Sequence, residues 1–346
     1  MNARETRRRV ALDELVDSVA LEEFRSAHGD PRFAEVVIVA AAYHEVDNIG
    51  RVVDALPAEL CGKPVTFVVV IDGEEDGTAE IVRKSGHYAV VCPVNRGQGA
   101  ALRLGYRIAR DGGARYIVTT DADGQYNPAE IANLLGPVIA GEADFVTGSR
   151  RLGSEETRDP VRQAGVRFFA AAISVLTGQK ISDTTFGLRA MRAEVTGAVQ
   201  LSQPQYQASE LLIGVITHGY KVKEVPATIH RRRVGESKKG HNPLYDLHIP
   251  GVNNLFYGMR FSRVVFGTWR RERQRASGPG SASPWSQRAA WSAGLGRGPA
   301  AMANGSPTAM ASAASAASAV SAVSAVSRDD LIDGSSGPAT PEAGSR

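Results

Sequence analysis

The sequence predicts an α/β fold built on a mostly parallel sheet with helices on both faces. Three observations carry that expectation. Short β-branched runs alternate with segments whose apolar residues recur at helical spacing. The runs are continuously apolar, as strands buried on both faces are. Asp72, Asp121, Asp123 and Arg150 each follow the end of such a run, where ligands of open parallel sheets bind.

Taken in order, residues 10–25 mix apolar and acidic positions at helical spacing and predict a leading helix within an N-terminal extension, 1–34. "VVIVAAA" (36–42) is the first strand, and Ile49, Val52, Val53 and Leu56 stripe the helix behind it. "VTFVVVI" (65–71) is the second strand, and the turn-forming "DGEEDGT" follows it. "YAVVCPV" (88–94) is the third, backed by a helix with Ala101, Leu104, Gly105, Ile108 and Ala109 on one face. "RYIVTT" (115–120) is the fourth, followed by a helix carrying Ile131, Leu134, Leu135, Val138 and Ile139. "ADFVTGS" (143–149) is the fifth. The main domain is expected over 35–250 and an amphipathic basic segment over 251–276. From 277 to 346 the composition falls to Gly, Pro, Ala and Ser, including "ASAASAASAVSAVSAVS", which predicts a disordered tail.

The formal net charge of the 346 residues is +3, so opposite charges nearly balance and no nucleic-acid partner is expected. Basic residues do cluster at "HRRRVGESKKGH" (230–241) and "RRERQR" (270–275), either as solvated faces or toward a phosphate-bearing partner. Cys61 and Cys92 lack metal-ligand spacing and read as free thiols of a reducing compartment. No apolar run reaches the roughly 18 residues of a spanning helix. Arg7–Arg9 are followed by acidic residues instead of an apolar stretch, so export is not expected and the protein reads as cytoplasmic. "FFAAAISVL" (168–176) suits a core helix or a membrane surface, and 255–275 interleaves aromatics with Arg as an interfacial helix does.

"TTDADGQYNP" (119–128) holds the most informative chemistry. Asp121 and Asp123 lie so close that their repulsion needs a balancing cation or hydrogen-bonded ligand. In an extended turn Asp121, Asp123 and Gln125 face one side and present oxygens to a hard cation, Mg²⁺ or Mn²⁺. Alternatively Asp121 caps the strand and Asp123 or Asn127 begins the next helix, with Pro128 in its first turn. "GQGAAL" (97–102) lacks the third glycine of a dinucleotide fingerprint and reads as a helix-packing turn.

The companion motifs favour the cation reading. "YHEVDNI" (43–49), "IDGEEDGT" (71–78), "NRGQGAALRLGY" (95–106), DADGQ, "DFVTGSR" (144–150), "DTTFGLRAMR" (183–192), "QYQASELL" (205–212) and "GYKVKEVPATIHRRRVGESK" (219–238) follow one another in order. In that order and spacing, over about 35–240, the chain resembles family 2 glycosyltransferases of the GT-A fold. Within them it looks most like the dolichyl- or polyprenyl-phosphate mannose and glucose synthases. The resemblance implies a Rossmann-like sheet flanked by helices, a GDP- or UDP-hexose donor and a polyprenyl-phosphate acceptor. It also implies peripheral contact with the inner face of the membrane. It places Tyr43, Glu45 and Asp72 at the nucleotide, and Asp121, Asp123 and Gln125 around Mg²⁺ or Mn²⁺. Arg150, Arg232, Ser237 and Lys238 fall at the donor and acceptor phosphates, with Arg162 a further acceptor-phosphate candidate. Asp183 and Glu210 fall at the sugar and acceptor pocket. The family's two adjacent Asp after the second strand are here Ile71 and Asp72, and its following Ser-Thr is Glu74-Glu75, which leaves the base open.

Elementary chemistry agrees. A departing diphosphate is stabilised by a metal and by Arg or Lys in a water-poor cleft. A phosphate acceptor is already anionic, whereas a hydroxyl acceptor needs a general base, and no His stands at a predicted strand end to serve. The other readings are a family 2 transferase acting on a soluble or glycan hydroxyl, a nucleotidyltransferase, and a nucleotide-sugar-binding scaffold. "AAYHEVDN" lacks the Gly-rich phosphate loop of the second, and the intact DADGQ argues against the third.

Overall fold

The structure is a computed structural model that describes residues 3–73, 76–156, 160–203, 205–231 and 252–277, with backbone alone at 3–9, 160–162 and 252–258. The strands are β1 (Val36–Ala42), β2 (Glu59–Leu60), β3 (Lys63–Asp72), β4 (Tyr88–Cys92), β5 (Tyr116–Asp121), β6 (Phe145–Glu155), β7 (Arg189–Arg192) and β8 (Val222–Ile229). The helices are α1 (Ala3–His28), α2 (Val46–Ala55), α3 (Thr78–Lys84), α4 (Gln98–Asp111), α5 (Ile131–Ile139), α6 (Pro160–Thr177), α7 (Val195–Ala198), α8 (Gln207–Thr217) and α9 (Val252–Ala276). Among the described residues the sheet runs β4-β3-β1-β5-β7-β6-β8, with the short β2 paired to the start of β3. Pairs β1/β3, β1/β5, β3/β4 and β6/β8 are parallel, and β7 runs antiparallel between β5 and β6.

Both faces are covered, which is why the strands read as unbroken apolar runs. Val37, Val39, Val68 and Val70 point to one side, under α1, α4 and α8. Val36, Ile38, Val69 and Ile71 point to the other, under α2, α3 and α5. The period-two alternation of strand side chains divides one apolar run between two cores. A smaller third core joins α6, α8 and α9 through Ile173, Ile213, Phe261 and Val265.

Two features differ from expectation in extent. The leading helix is longer than 10–25, and Val16, Ala20, Leu21 and Phe24 are buried in the main core. Asp13 and Asp17 of α1 also pair with Arg96 and Arg103 beside α4. The fifth strand continues past Ser149 to Glu155, because β8 pairs with it again at Ser154 and Glu155 after a register shift. Arg150 therefore lies within a strand. Cys61 and Cys92 are free thiols, as expected. Among the described residues no helix is long and apolar enough to cross a membrane.

Candidate active site

Asp72 and Asp121 are the last residues of β3 and β5. The carboxyl ends of the parallel strands thus carry the acidic groups that the sequence placed there. After Asp121 the chain turns through Gly124, and Asp123 accepts the Gln125 amide N–H at 3.1 Å. Gln125 then pairs with His230 just beyond β8: the His230 N–H donates to the Gln125 carbonyl at 2.8 Å, and Gln125 Nε2 donates to the His230 carbonyl at 2.9 Å. The acidic loop and the exit of β8 form one unit.

The surroundings of Asp121 are built from residues that the sequence did not single out. Gln98 Nε2 donates to Asp121 Oδ1 at 2.7 Å, and Gln207 Nε2 donates to Gln98 Oε1 at 2.6 Å. On the other side, a Cβ added at Gly187 would lie 2.8 Å from Asp121 Oδ2 and 2.6 Å from the Tyr126 hydroxyl. Only glycine permits that approach. Gly187 N–H donates to the Tyr126 hydroxyl at 2.8 Å, and burial together with the charge of Asp121 pushes that phenol well above its usual range. Arg189, fully buried at the start of β7, donates to the Phe186 carbonyl. Its signal was present in the "FGLRAMR" stretch, but a lone Arg in a four-residue strand has no periodicity to mark it.

Arg150 and Asp183 are brought together as a buried ion pair. Arg150 Nε donates to Asp183 Oδ2 at 2.6 Å, Arg150 Nη2 reaches the Thr185 hydroxyl at 3.0 Å, and Nη1 lies 3.5 Å from Glu155. Burial opposes the charge of Arg150, but the Asp183 carboxylate outweighs it and holds the guanidinium above its ordinary pKa. Glu224 orients Asp183 from behind by accepting the amide N–H groups of Ser182 and Asp183 at 2.8 and 2.9 Å. Burial raises the pKa of Glu224 against those hydrogen bonds.

Asp72 is buried and holds the following loop, accepting the Arg96 and Gly97 N–H groups at 3.0 and 2.6 Å. Burial pushes its carboxyl up to about 6, against those donors and Arg96. Tyr43 stacks edge-on against His44, and Glu45 accepts Asn48 Nδ2 at 2.7 Å at the start of α2. Asp76, which sequence reasoning passed over, ties the loops after β1 and β3 by accepting from Thr78 and from the Val46 N–H. The Asp-Gly-Thr at the start of α3 was its available signal, an acidic cap two residues ahead of a helical N–H.

Glu210 is fully buried on α8, accepting Ser202 N–H, Ser202 Oγ and Gln203 N–H at 2.8–2.9 Å and pairing with Arg271 of α9 at 2.7 Å. Arg162 lies on α6, where only the backbone is described, and Arg232, Ser237 and Lys238 lie outside the described residues.

The fold and the acidic strand ends define a GT-A-like protein with its site at the carboxyl edge of the sheet. The model of glycosyl transferase family 2 matches residues 37–199. The chain is 34% identical to the dolichyl-phosphate hexose transferase of Haloferax volcanii, covering 60% of this chain and 87% of that one. It is 32% identical to the polyprenol monophosphomannose synthase of Mycolicibacterium smegmatis, covering 64% and 88%. Glucosyl-3-phosphoglycerate synthase from Mycobacterium tuberculosis, solved with phosphoglyceric acid, shares the fold at a TM-score of 0.51 and 21% identity, covering 69% of this chain and 80% of that one. The protein belongs to glycosyltransferase family 2, and is an enzyme of that class.

Proposed function

We propose that the protein is an inverting, divalent-cation-dependent transferase that moves a hexose from GDP- or UDP-hexose to a polyprenyl phosphate. One observation carries the reading: the end of β8 pairs at His230 with Gln125, whose N–H is held by Asp123, and the basic stretch 231–238 follows His230 in the sequence. Arg232, Ser237 and Lys238 follow within eight residues of His230 in the sequence, and this reading gives them the acceptor phosphate. The two relatives from Haloferax and Mycolicibacterium also carry dolichyl phosphate and polyprenol in their names.

The residues fit a hard cation. Among the described residues no three His, Cys, Asp or Glu side chains cluster as a complete ligand set. Two carboxylates and Gln125 at one strand end suit Mg²⁺ or Mn²⁺, which take one or two carboxylates and complete their shell with substrate phosphates and water. The absence of a side chain at Gly187 lets the backbone come close to Asp121 Oδ2 and the Tyr126 hydroxyl. When bound, the cation supplies positive charge to the departing diphosphate. Tyr43, Glu45 and Asp72 hold the nucleotide and the loops around it, and the Arg150–Asp183 pair lines the sugar side of the cleft.

A phosphate acceptor removes the need for a general base, because its oxygen is already anionic at neutral pH. Among the described residues, two histidines on loops bordering the site face carboxylates: His44 lies 3.8 Å from Asp76, and His230 Nδ1 lies 2.8 Å from Glu156. The acceptor oxygen attacks the anomeric carbon in line, the bond to the diphosphate oxygen breaks, and nucleoside diphosphate leaves with inversion. A lipid acceptor implies peripheral membrane contact. Phe168 and Val175 on α6 and Met259 and Phe266 on α9 are exposed apolar groups that support it.

The test supplies GDP-mannose or UDP-glucose with Mn²⁺ and offers polyprenyl phosphate in anionic vesicles or water-soluble glycans. Transfer to the lipid phosphate is expected, together with co-sedimentation of protein and vesicles. Arg232→Ala should lower use of the lipid phosphate about ten- to a hundredfold, the worth of one charge-assisted contact, and affect donor hydrolysis much less. Glycosylated glycans with an untouched lipid would refute the acceptor, and protein left in the supernatant would refute the membrane contact.

A further inference from the structure

We propose that Gln98 and Gln207 are positioning residues for the cation site, a two-amide relay that fixes the orientation of the Asp121 carboxylate. The inference rests on the reading of Asp121 as a cation ligand. Gln98 and Gln207 are the first residues of α4 and α8, and each places its side chain over the end of β5. Gln207 Nε2 donates to Gln98 Oε1 at 2.6 Å, and Gln98 Nε2 donates to Asp121 Oδ1 at 2.7 Å. A carboxamide has one acceptor atom and one donor group. With Oε1 of Gln98 engaged by Gln207, the Gln98 NH₂ is the end that meets Asp121, and a flipped amide would set two oxygens against each other. Gln207 therefore acts on Asp121 only through Gln98.

The approach of the two helices depends on Gly99. A Cβ there would sit 1.9 Å from the Gln203 carbonyl oxygen and 3.3 Å from Gln207 Cβ, so the first turn of α4 presses on Gln203 and Gln207 only because residue 99 has no side chain. That close packing brings two flexible amides within one hydrogen bond of each other. Neither amide carries a charge, so the relay orients Asp121 without setting a second cation beside it. One carboxylate oxygen is held by the relay, and the other lies against Gly187, where a Cβ would sit 2.8 Å away. Orientation of a ligand by a hydrogen-bonded partner is a known lever on metal affinity. Here the lever spans two helices.

The test titrates MnCl₂ into the full chain, alone and with UDP or GDP, and reads bound Mn²⁺ from loss of the free-ion electron paramagnetic resonance signal. Methionine matches glutamine in length but makes neither hydrogen bond. Gln98→Met is expected to weaken Mn²⁺ binding about five- to twentyfold with nucleotide present, and Gln207→Met about two- to fivefold. The double variant should bind no more weakly than Gln98→Met alone, because the second amide works through the first. At saturating Mn²⁺ the kcat of each single variant should stay within about threefold of the parent, a split between affinity and turnover that loss of packing would not give. Asp121→Asn separates the two readings. If it abolishes Mn²⁺ binding while both Met variants bind like the parent, the relay is wrong and the cation site stands. If it binds Mn²⁺ like the parent, both fall. Additive losses in the double variant also overturn the relay, and if Gln98→Met does not fold, Gln207→Met and its Mn²⁺ affinity decide alone.

Discussion

At Asp123, one side chain holds the turn and carries the proposed cation role, and a single-atom change separates them. The carboxylate caps the turn by accepting Gln125 N–H, and an asparagine in its place retains that acceptor while losing the charge. Asp123→Asn is expected to change stability by no more than about 0.5 kcal/mol. Sugar transfer should fall about a hundredfold or more, the scale of losing one stabiliser of developing charge. Retained transfer with an unaltered Mn²⁺ requirement would remove Asp123 from the site. Asp72 makes a different prediction. Its folded-state pKa lies near 6, above the ordinary carboxylate range, because burial penalises the ion. The native state therefore keeps this proton to higher pH than the unfolded chain. The resulting stability is fully present below pH ~4 and lost as pH rises through about 6. Urea unfolding from pH 4 to 7 should show the parent losing up to about 3 kcal/mol relative to Asp72→Asn, and no further change above pH ~7. A stability difference that is flat or grows with pH would show that the carboxyl is not held protonated.

At the scale of elements, the long runs were legible and the short strands were not. β1 matches 36–42 to the residue because seven apolar positions in succession suit a strand buried on both faces. The sequence "RAMR" of β7 carries two Arg in four residues, and β8 holds Lys223, Glu224 and Pro226, so neither shows an apolar period. Pro226 is tolerated because β8 lies at the edge of the sheet. The acidic pair of the site was legible for a related reason: charges just after an apolar run stand out. The groups that orient it were not, because Gln98 sits in a turn whose glycines dominate the pattern, and contact with Gln207 spans 109 positions. The resemblance implies a place for Glu210 at the pocket, and in the structure Glu210 also joins elements. It fastens α8 to the 202–203 segment and to α9 through Arg271. Burial lowers the pKa of Arg271, but the Glu210 carboxylate and then Glu272 raise it further. Glu210→Ala leaves two amide N–H groups, a hydroxyl and a guanidinium without this acceptor, and should cost about 3–5 kcal/mol. Arg271→Ala leaves Glu210 with its Ser202 and Gln203 donors and should cost less, about 1–3 kcal/mol. Equal losses in thermal melts would mean that the carboxylate matters only through the Arg.

Across the whole molecule, α9 closes the fold, and the residues after it are expected to add little. Phe261 and Val265 complete the third core with Ile173 and Ile213, and the Phe169 and Phe261 rings meet at 4.2 Å. Glu272, fully buried, receives His218 at 3.0 Å and Arg271 at 3.0 Å. Burial would raise its carboxyl, but those hydrogen bonds and the charges of Arg271 and Arg275 hold it below the ordinary range. Beyond Ser277 the sequence offers few large apolar side chains and little to offset the entropy of ordering a chain. Two truncations separate these contributions. A chain ending at Ala276 should melt within about 2 °C of the full chain and retain transfer in detergent. A chain ending at Gly251 loses two buried apolar side chains from the third core, and it takes Arg271 from Glu210 and Glu272 from His218. Losing the apolar pair alone is worth about 3–6 kcal/mol, so its melting temperature should fall by about 10 °C or more. Because Glu210 also holds the segment against which α4 begins, transfer should fall even below the melting transition. A large loss on removing 277–346 would assign a structural role to the tail, and an unchanged melt without α9 would show that the third core is dispensable.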